Sequence, residues 1–118
     1  MNSKDYQAWV TEPASGGGSR KFPGLRRTRS LTMNASRAPG LALGLAGEAG
    51  EVADVIKKGI RDHNTLGFDF NQAALLLELG DVLWYLVGLA DSFGWTLEDI
   101  MQANFDKIES RRAQKAGA

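Results

Sequence analysis

The chain has 118 residues, which is enough for one domain with a modest hydrophobic core. Its 14 basic and 14 acidic residues balance, so the net charge indicates neither nucleic acid nor a membrane surface as a partner. The absence of cysteine excludes disulfides and thiolate metal sites, and with neither a secretory signal pattern nor an apolar run near the roughly 20 residues of a membrane span we expect a cytoplasmic protein.

The first predicted element is a short helix over residues 3–11, with Ser3 as its N-cap and Pro13 just beyond its end. Residues 14–37 follow, with three consecutive glycines, six basic residues and no acidic residue. The simplest interpretation is a flexible, solvated basic arm. Two alternatives stay open: some arginines reach a phosphate-bearing ligand, or the arm binds nucleic acid nonspecifically. The second is weaker, because Phe22 is the only aromatic residue among these charges.

The second helix is predicted to begin near Pro39 and to end at residues 58–59. Four glycines occur within it, each costing roughly 1 kcal/mol relative to alanine in a helix. Small residues at this density suggest that another backbone or a ligand approaches closely. Basic residues cluster at the end of the helix, where its dipole favours cations. One of them, Lys58, projects on the same side as Glu51 and is a candidate phosphate contact.

The third helix is predicted to be capped by Asp69 or Asn71 and to run to about Phe93, before Gly94. It is apolar nearly all round, so it must be buried on several sides. A chain with four helices has difficulty covering such a helix alone. We therefore expect a homodimer with the third helix near the interface.

The fourth helix has a well-defined predicted start, because Thr96 and Asp99 form a pair like a capping box. Its predicted inward face consists of Leu97, Met101, Phe105 and Ile108. An adjacent polar edge consists of Asn104, Lys107 and Arg111.

Two acidic pairs, one on the second helix and one on the third, point to chemistry. The four residues are Glu48, Glu51, Glu78 and Asp81. Each pair is spaced i, i+3, which places both carboxylates on one face of a helix. Glu48 and Glu78 fall within apolar stripes that contain no cation, and an unpaired carboxylate there is costly. Two facing pairs would form an oxygen-rich site suited to Mg²⁺ or Mn²⁺.

The ordinary alternative is that these acidic residues are salt-bridge partners or solvated edge residues. Their repetition on two successive helices weakens that interpretation. His63 is the only histidine and is predicted to lie in a turn, which argues against zinc and against a di-iron helix bundle.

Three segments occur in order along the chain: LGLAGEAGEV (43–52), continuing to Lys58; ELGDVLWYL (78–86); and NFDKI (104–108), followed by Arg111. Together they resemble the MazG-like nucleotide pyrophosphohydrolases of the all-α NTP pyrophosphatase superfamily. The resemblance implies an all-α, four-helix bundle completed by dimerisation, as a homodimer or a dimer-of-dimers tetramer. The sequence predicts one domain, 1–118, with a basic arm at 14–37 and a helical core at 38–113, and the resemblance implies that this core carries the metal site.

The resemblance also implies a reaction: Mg²⁺-dependent hydrolysis of an NTP or dNTP between the α and β phosphates, with Mn²⁺ as an alternative metal. The products would be a nucleoside monophosphate and pyrophosphate, in a house-cleaning or pool-controlling role. Glu48, Glu51, Glu78 and Asp81 would hold metal ions. Asn104, Lys107 and Arg111 would contact phosphate or sugar.

Two assignments remain open from the sequence. Many members of the family carry a glutamate where this chain has Gly47, so the general base is Glu48 or Glu51, or metal-activated water suffices. This departure keeps a non-catalytic helical module that binds nucleotide or protein as the alternative function. For the base, Tyr85 is the best stacking candidate because it lies one turn after Asp81, although aromatic residues at helical spacing are usually core.

Overall fold

The computed structural model describes residues 1–12, 35–63 and 71–117, and in those ranges the chain is helical and contains no strand. The elements are α1 (Ser3–Thr11), a 3-10 turn (Ala35–Arg37), α2 (Ala38–His63), α3 (Gln72–Ser92) and α4 (Leu97–Ala116). The predicted all-α fold with four helices is confirmed. Residues 14–34 of the predicted basic arm lie outside the described ranges. Arg37, at the end of that arm, is buried with 1% of its surface exposed.

Helix α1 spans the predicted residues 3–11, but its N-cap differs from the prediction by one residue. Asn2, not Ser3, is the N-cap, and its side-chain oxygen accepts a hydrogen bond from the Asp5 amide at 2.9 Å. Both residue types cap helices well, so the sequence did not separate them. Ser3 instead lies in the first turn, where its hydroxyl donates to the Glu98 carboxylate on α4.

Helix α2 begins as predicted, with Pro39 in its first turn, but it continues through His63. The predicted end at residues 58–59 is therefore wrong. A single glycine lowers helix propensity by only about 1 kcal/mol, and Gly59 is buried, so packing outweighs this loss. His63 belongs to the last turn of α2 instead of a connecting turn.

The ends of α3 were predicted correctly. The Asn71 side chain accepts from the Ala74 amide at 3.0 Å, and Gly94 follows the helix with a positive φ of 78°. Glycine adopts this left-handed conformation at little energetic cost. The core joins α1, α2 and the C-terminal half of α3 and consists of Val10, Leu41, Trp84, Tyr85 and Val87. The N-terminal half of α3 remains open, since Leu76 and Leu77 are 71% and 72% exposed.

By length and composition alone, α3 could cross a membrane, so the expectation that no apolar stretch approaches that length is wrong. This is weak evidence for a span, because a core helix of a soluble protein meets the same criteria. Helix α3 also carries Glu78 and Asp81 and packs along α2.

Helix α4 starts with the predicted capping box. The Thr96 amide donates to Asp99 Oδ2 at 2.8 Å, and the Asp99 amide donates to Thr96 Oγ1 at 3.1 Å. The predicted inward face is confirmed only at its start: Leu97 packs against the core, whereas Met101 and Phe105 are 60% and 61% exposed. Among the described residues, α4 contacts α1 and α3 but not α2. Its apolar stripe therefore has no cover within the described part of one chain.

Candidate metal centre

Three carboxylates from two helices converge on one point. Glu48 extends from α2, and Glu78 and Asp81 extend from α3. One carboxylate oxygen from each lies within 4.8 Å of the other two. Helices α2 and α3 pack along each other, which brings residues thirty positions apart in sequence to the same place. We call Glu48, Glu78 and Asp81 the acidic cluster.

Glu51 lies outside the acidic cluster. It is exposed on α2, one turn after Glu48, but its charge still acts on Glu78. The sequence predicted four equivalent ligands, and the structure brings three of them together. Of the four predicted carboxylates, three therefore form the acidic cluster, and Glu51 is an exposed neighbour of it.

The electrostatics of the cluster disfavour its fully charged form when no cation is present. Loss of solvation at the half-buried Glu78 raises the pKa of its carboxyl above the ordinary value. The charges of Asp81, Glu48 and Glu51 raise this pKa further, as does a hydrogen bond with Glu48. A divalent cation among these carboxylates would favour their charged forms and so oppose these effects.

The donor set fits a hard cation. All three groups are carboxylates, and hard oxygen ligands suit Mg²⁺, Mn²⁺ and Ca²⁺ better than softer metals. Exposed acidic groups also occur on proteins without a metal. Here two of the three are half-buried, which makes their mutual repulsion harder for water to screen.

Tyr85 is placed in the core, although it was a candidate for base stacking. Its side chain is 9% exposed, and its ring meets Trp84 edge-on with centroids 5.0 Å apart. The other side of the ring fills the space where a Cβ on Gly44 would lie. This packing favours the core role, and it explains one of the closely spaced glycines of α2. Gly47 and Gly50 differ, because an added Cβ would meet nothing within 4 Å.

Lys58 is paired with a residue on its own helix. Its Nζ lies 2.8 Å from Asp54 Oδ2, and this hydrogen bond, with the charge of Asp54, raises the pKa of the Lys58 ammonium. The Glu51 charge raises it slightly further. An exposed pair of this kind contributes little to stability and opens easily, so Lys58 remains able to turn towards a phosphate.

The candidate substrate contacts on α4 lie on an exposed stretch of the helix. Asn104 and Lys107 line an open cleft of about 550 Å³ at the start of α4, and Arg111 lies exposed beyond it. The remaining lining residues are Trp95, Asp99, Ile100 and Ala103. Within the described ranges α4 contacts α1 and α3 but not α2, the helix that carries Glu48.

One residue near the cluster was not among the predicted site residues. Burial raises the pKa of the Tyr6 phenol on α1, and the negative charge of Asp81 raises it further. Tyr6 packs against the core beside α3. Nothing in the sequence relates a tyrosine at position 6 to an aspartate at position 81, because only the packing of α1 on α3 brings them together.

The sequence model of the MazG nucleotide pyrophosphohydrolase domain matches residues 39–115, which include α4 and all four carboxylates. Among curated proteins, the chain is 40% identical over 72 residues to the Gene 37 protein of Mycobacterium phage L5. This similarity covers 61% of the chain and 63% of that relative, so the chain spans less than two thirds of the relative's length. No solved structure matches the chain at a significant level.

Proposed function

Because the chain belongs to the MazG nucleotide pyrophosphohydrolase family, we propose that it hydrolyses a nucleoside or deoxynucleoside triphosphate between the α and β phosphates. The products are a nucleoside monophosphate and pyrophosphate. The observation that supports this most directly is the convergence of Glu48, Glu78 and Asp81. A triphosphate carries several negatively charged oxygens, so it can bind beside three carboxylates only if a cation lies between them.

The acidic cluster would hold the metal ion, and Mg²⁺ is the proposed occupant. When bound, the ion supplies neutralisation of phosphate charge and acidifies a coordinated water. Glu51 is exposed beside the acidic cluster and is not part of it, so its carboxylate is free to orient an attacking water and take its proton. The water oxygen forms a bond to the α phosphorus as the bond to the bridging oxygen breaks, and pyrophosphate leaves.

The substrate contacts would come from the polar edge of α4. Asn104, Lys107 and Arg111 supply a neutral donor and two cations, which suit phosphate oxygens and the leaving pyrophosphate. Within the described residues α4 is exposed from Met101 onwards and makes no contact with α2, which carries Glu48, so we propose that a second copy places its α4 at the cluster. The exposed Met101 and Phe105 support this arrangement, because a stripe of this kind is covered in most stable assemblies.

A panel of nucleoside triphosphates assayed with Mg²⁺, Mn²⁺ and EDTA tests the reaction, with both products measured. We expect release of monophosphate and pyrophosphate in equal amounts with Mg²⁺ and no release in EDTA. Glu78→Gln should abolish metal-dependent turnover, while Glu109→Gln, which removes an exposed carboxylate paired with Arg112, should not. Release of orthophosphate in place of pyrophosphate would exclude cleavage at the α phosphorus.

The two candidate bases can be separated by single substitutions. Glu51→Gln should lower kcat by about 10²–10⁴-fold while leaving metal affinity nearly unchanged, because Glu51 is not in the acidic cluster. Glu48→Gln should weaken metal binding as well. If both variants keep wild-type turnover, neither residue activates the water.

The alternative function is a helical module that binds nucleotide without hydrolysing it. The observation that favours it is Gly47, which lacks the carboxylate present at this position in many members of the family. A binder would retain nucleotide and metal affinity but release no pyrophosphate from any substrate in the panel.

A further inference from the structure

A single side chain on α1 bridges to the start of α4. Gln7 Nε2 donates to the Trp95 carbonyl at 3.2 Å, and Gln7 Oε1 accepts from the Leu97 amide at 3.1 Å. The nitrogen of the side-chain amide donates one hydrogen bond, and its oxygen accepts the other. One donor and one acceptor must therefore be held in fixed orientation, which an amide provides.

The Leu97 amide needs a partner from outside its helix. The first four amides of a helix have no intrahelical acceptor. Thr96 accepts from Asp99 through the capping box, and Gln7 accepts from Leu97. The first turn of α4 thus depends on one local partner and on one partner from α1.

The remainder of α4 has few attachments. Within one copy every residue from Met101 to Gly117 is exposed, and the Ser3 hydroxyl on α1 donates to Glu98 in the first turn of α4. Within one copy the attachments of α4 are therefore concentrated at its first turn, where Leu97 also packs against the core. Lys107 lies ten residues beyond Leu97, or about 15 Å along a helix, so a tilt of about 10° there moves it by roughly 2.6 Å.

We propose that Gln7 is a positioning residue for substrate binding: it fixes the first turn of α4 against α1 and so determines where Asn104 and Lys107 lie. This rests on the proposed function, in which those two side chains contact the triphosphate. Gln7 itself does not belong to the acidic cluster or to the α4 edge. Its loss therefore affects the binding of substrate more than the chemical step.

Two substitutions test the bridge. Gln7→Met keeps nearly the same length and removes both hydrogen bonds, while Gln7→Glu keeps an oxygen for Leu97 and loses the donor to Trp95. The matched control is Gln102→Met on α4, whose amide bonds only Asp106 on the same helix, at 2.9 Å. We expect KM for the triphosphate to rise roughly tenfold in Gln7→Met with kcat within about twofold of wild type, an intermediate rise in Gln7→Glu, and no change in the control.

Amide hydrogen exchange gives a readout that does not depend on activity. In Gln7→Met the Leu97 amide should exchange at least about fivefold faster, while the Asp99 amide, which Thr96 holds, should keep its wild-type rate. Unchanged exchange at Leu97, or equal acceleration at Asp99, would overturn the proposal even if the protein hydrolyses nucleotides. If exchange is faster at Leu97 alone but the wild-type protein hydrolyses no nucleotide in the panel, the proposed reaction is refuted and the hydrogen-bond bridge is not. A fall in kcat with unchanged KM would also overturn the positioning role.

Discussion

At the scale of single residues, Gly44 and Gly50 on α2 have different surroundings although they occur in the same glycine-rich stretch. The Tyr85 ring occupies the place of a Cβ on Gly44, whereas a Cβ on Gly50 would meet nothing within 4 Å. A sequence shows that glycines are frequent but not which of them a neighbour requires. Only the position of Tyr85 shows that Gly44 is required for packing.

This difference predicts opposite effects of alanine on stability. Gly44→Ala should displace Tyr85 from the core and lower the free energy of unfolding by about 1–3 kcal/mol. Gly50→Ala should raise it by up to about 1 kcal/mol, because alanine favours the helix and the added methyl is accommodated. Urea denaturation of both variants beside wild type measures the two changes. Equal losses in both would show that the open space at Gly50 is occupied in solution.

Gly47 allows a direct test of the missing glutamate. A Cβ added at Gly47 meets nothing within 4 Å and residue 47 is exposed, so we expect Gly47→Glu to fold as the wild type does. If the absent carboxylate limits catalysis, kcat should rise by about tenfold or more, within the range of general acid–base effects. Gly47→Gln, equal in size but without charge, is the control and should leave kcat at the wild-type value. A glutamate variant no faster than the glutamine variant would show that the existing carboxylates suffice.

Glu78 predicts how the stability of the metal-free protein varies with pH. Its raised pKa means that, between the ordinary glutamate value of about 4.3 and the raised value, the folded chain binds more protons than the unfolded chain. Stability should therefore fall as pH rises through this window. Thermal melts in EDTA should show the fall in wild type and not in Glu78→Gln. Parallel curves for the two proteins would contradict the prediction, and Glu109→Gln should follow wild type.

At the scale of helices, the sequence predicted where a helix begins better than which of its faces is buried. The caps Asn71 and Thr96 were found because a side-chain oxygen followed by free amides is a local pattern. The end of α2 was missed because its extension beyond Gly59 depends on packing. Beyond Leu97 the inward face of α4 was wrong, because an apolar stripe such as Met101 and Phe105 shows that a helix needs cover but not what covers it.

The same limit applies to the acidic cluster. Spacing along each helix predicted two pairs on two faces, and the packing of α2 on α3 determines that Glu48 joins the second pair while Glu51 does not. The bridge by Gln7 was also beyond sequence reasoning, since its partners lie 88 and 90 residues away. Contacts of that range depend on the angle between helices, which single-chain periodicity does not specify.

At the scale of the whole molecule, the open surfaces of α3 and α4 predict self-association. Phe105→Glu places a charge in the exposed stripe of α4 and should convert a dimer to a monomer, because burying an unpaired carboxylate is strongly unfavourable. Ser110→Glu adds the same charge on another side of α4 and should leave the dimer intact. Light scattering during size-exclusion chromatography distinguishes the two outcomes. A wild-type protein that is monomeric at micromolar concentration would refute the dimer.

The separation of α2 from α4 has a kinetic consequence. If the cation and the triphosphate are bound by residues of different copies, an isolated copy still binds the cation but hydrolyses no nucleotide. Diluting the enzyme below the dissociation constant of the pair should then make the initial rate fall with the square of its concentration. Calorimetric titration with Mg²⁺ over the same dilution should stay unchanged, so the loss of turnover would report separation of the copies and not an emptied cluster.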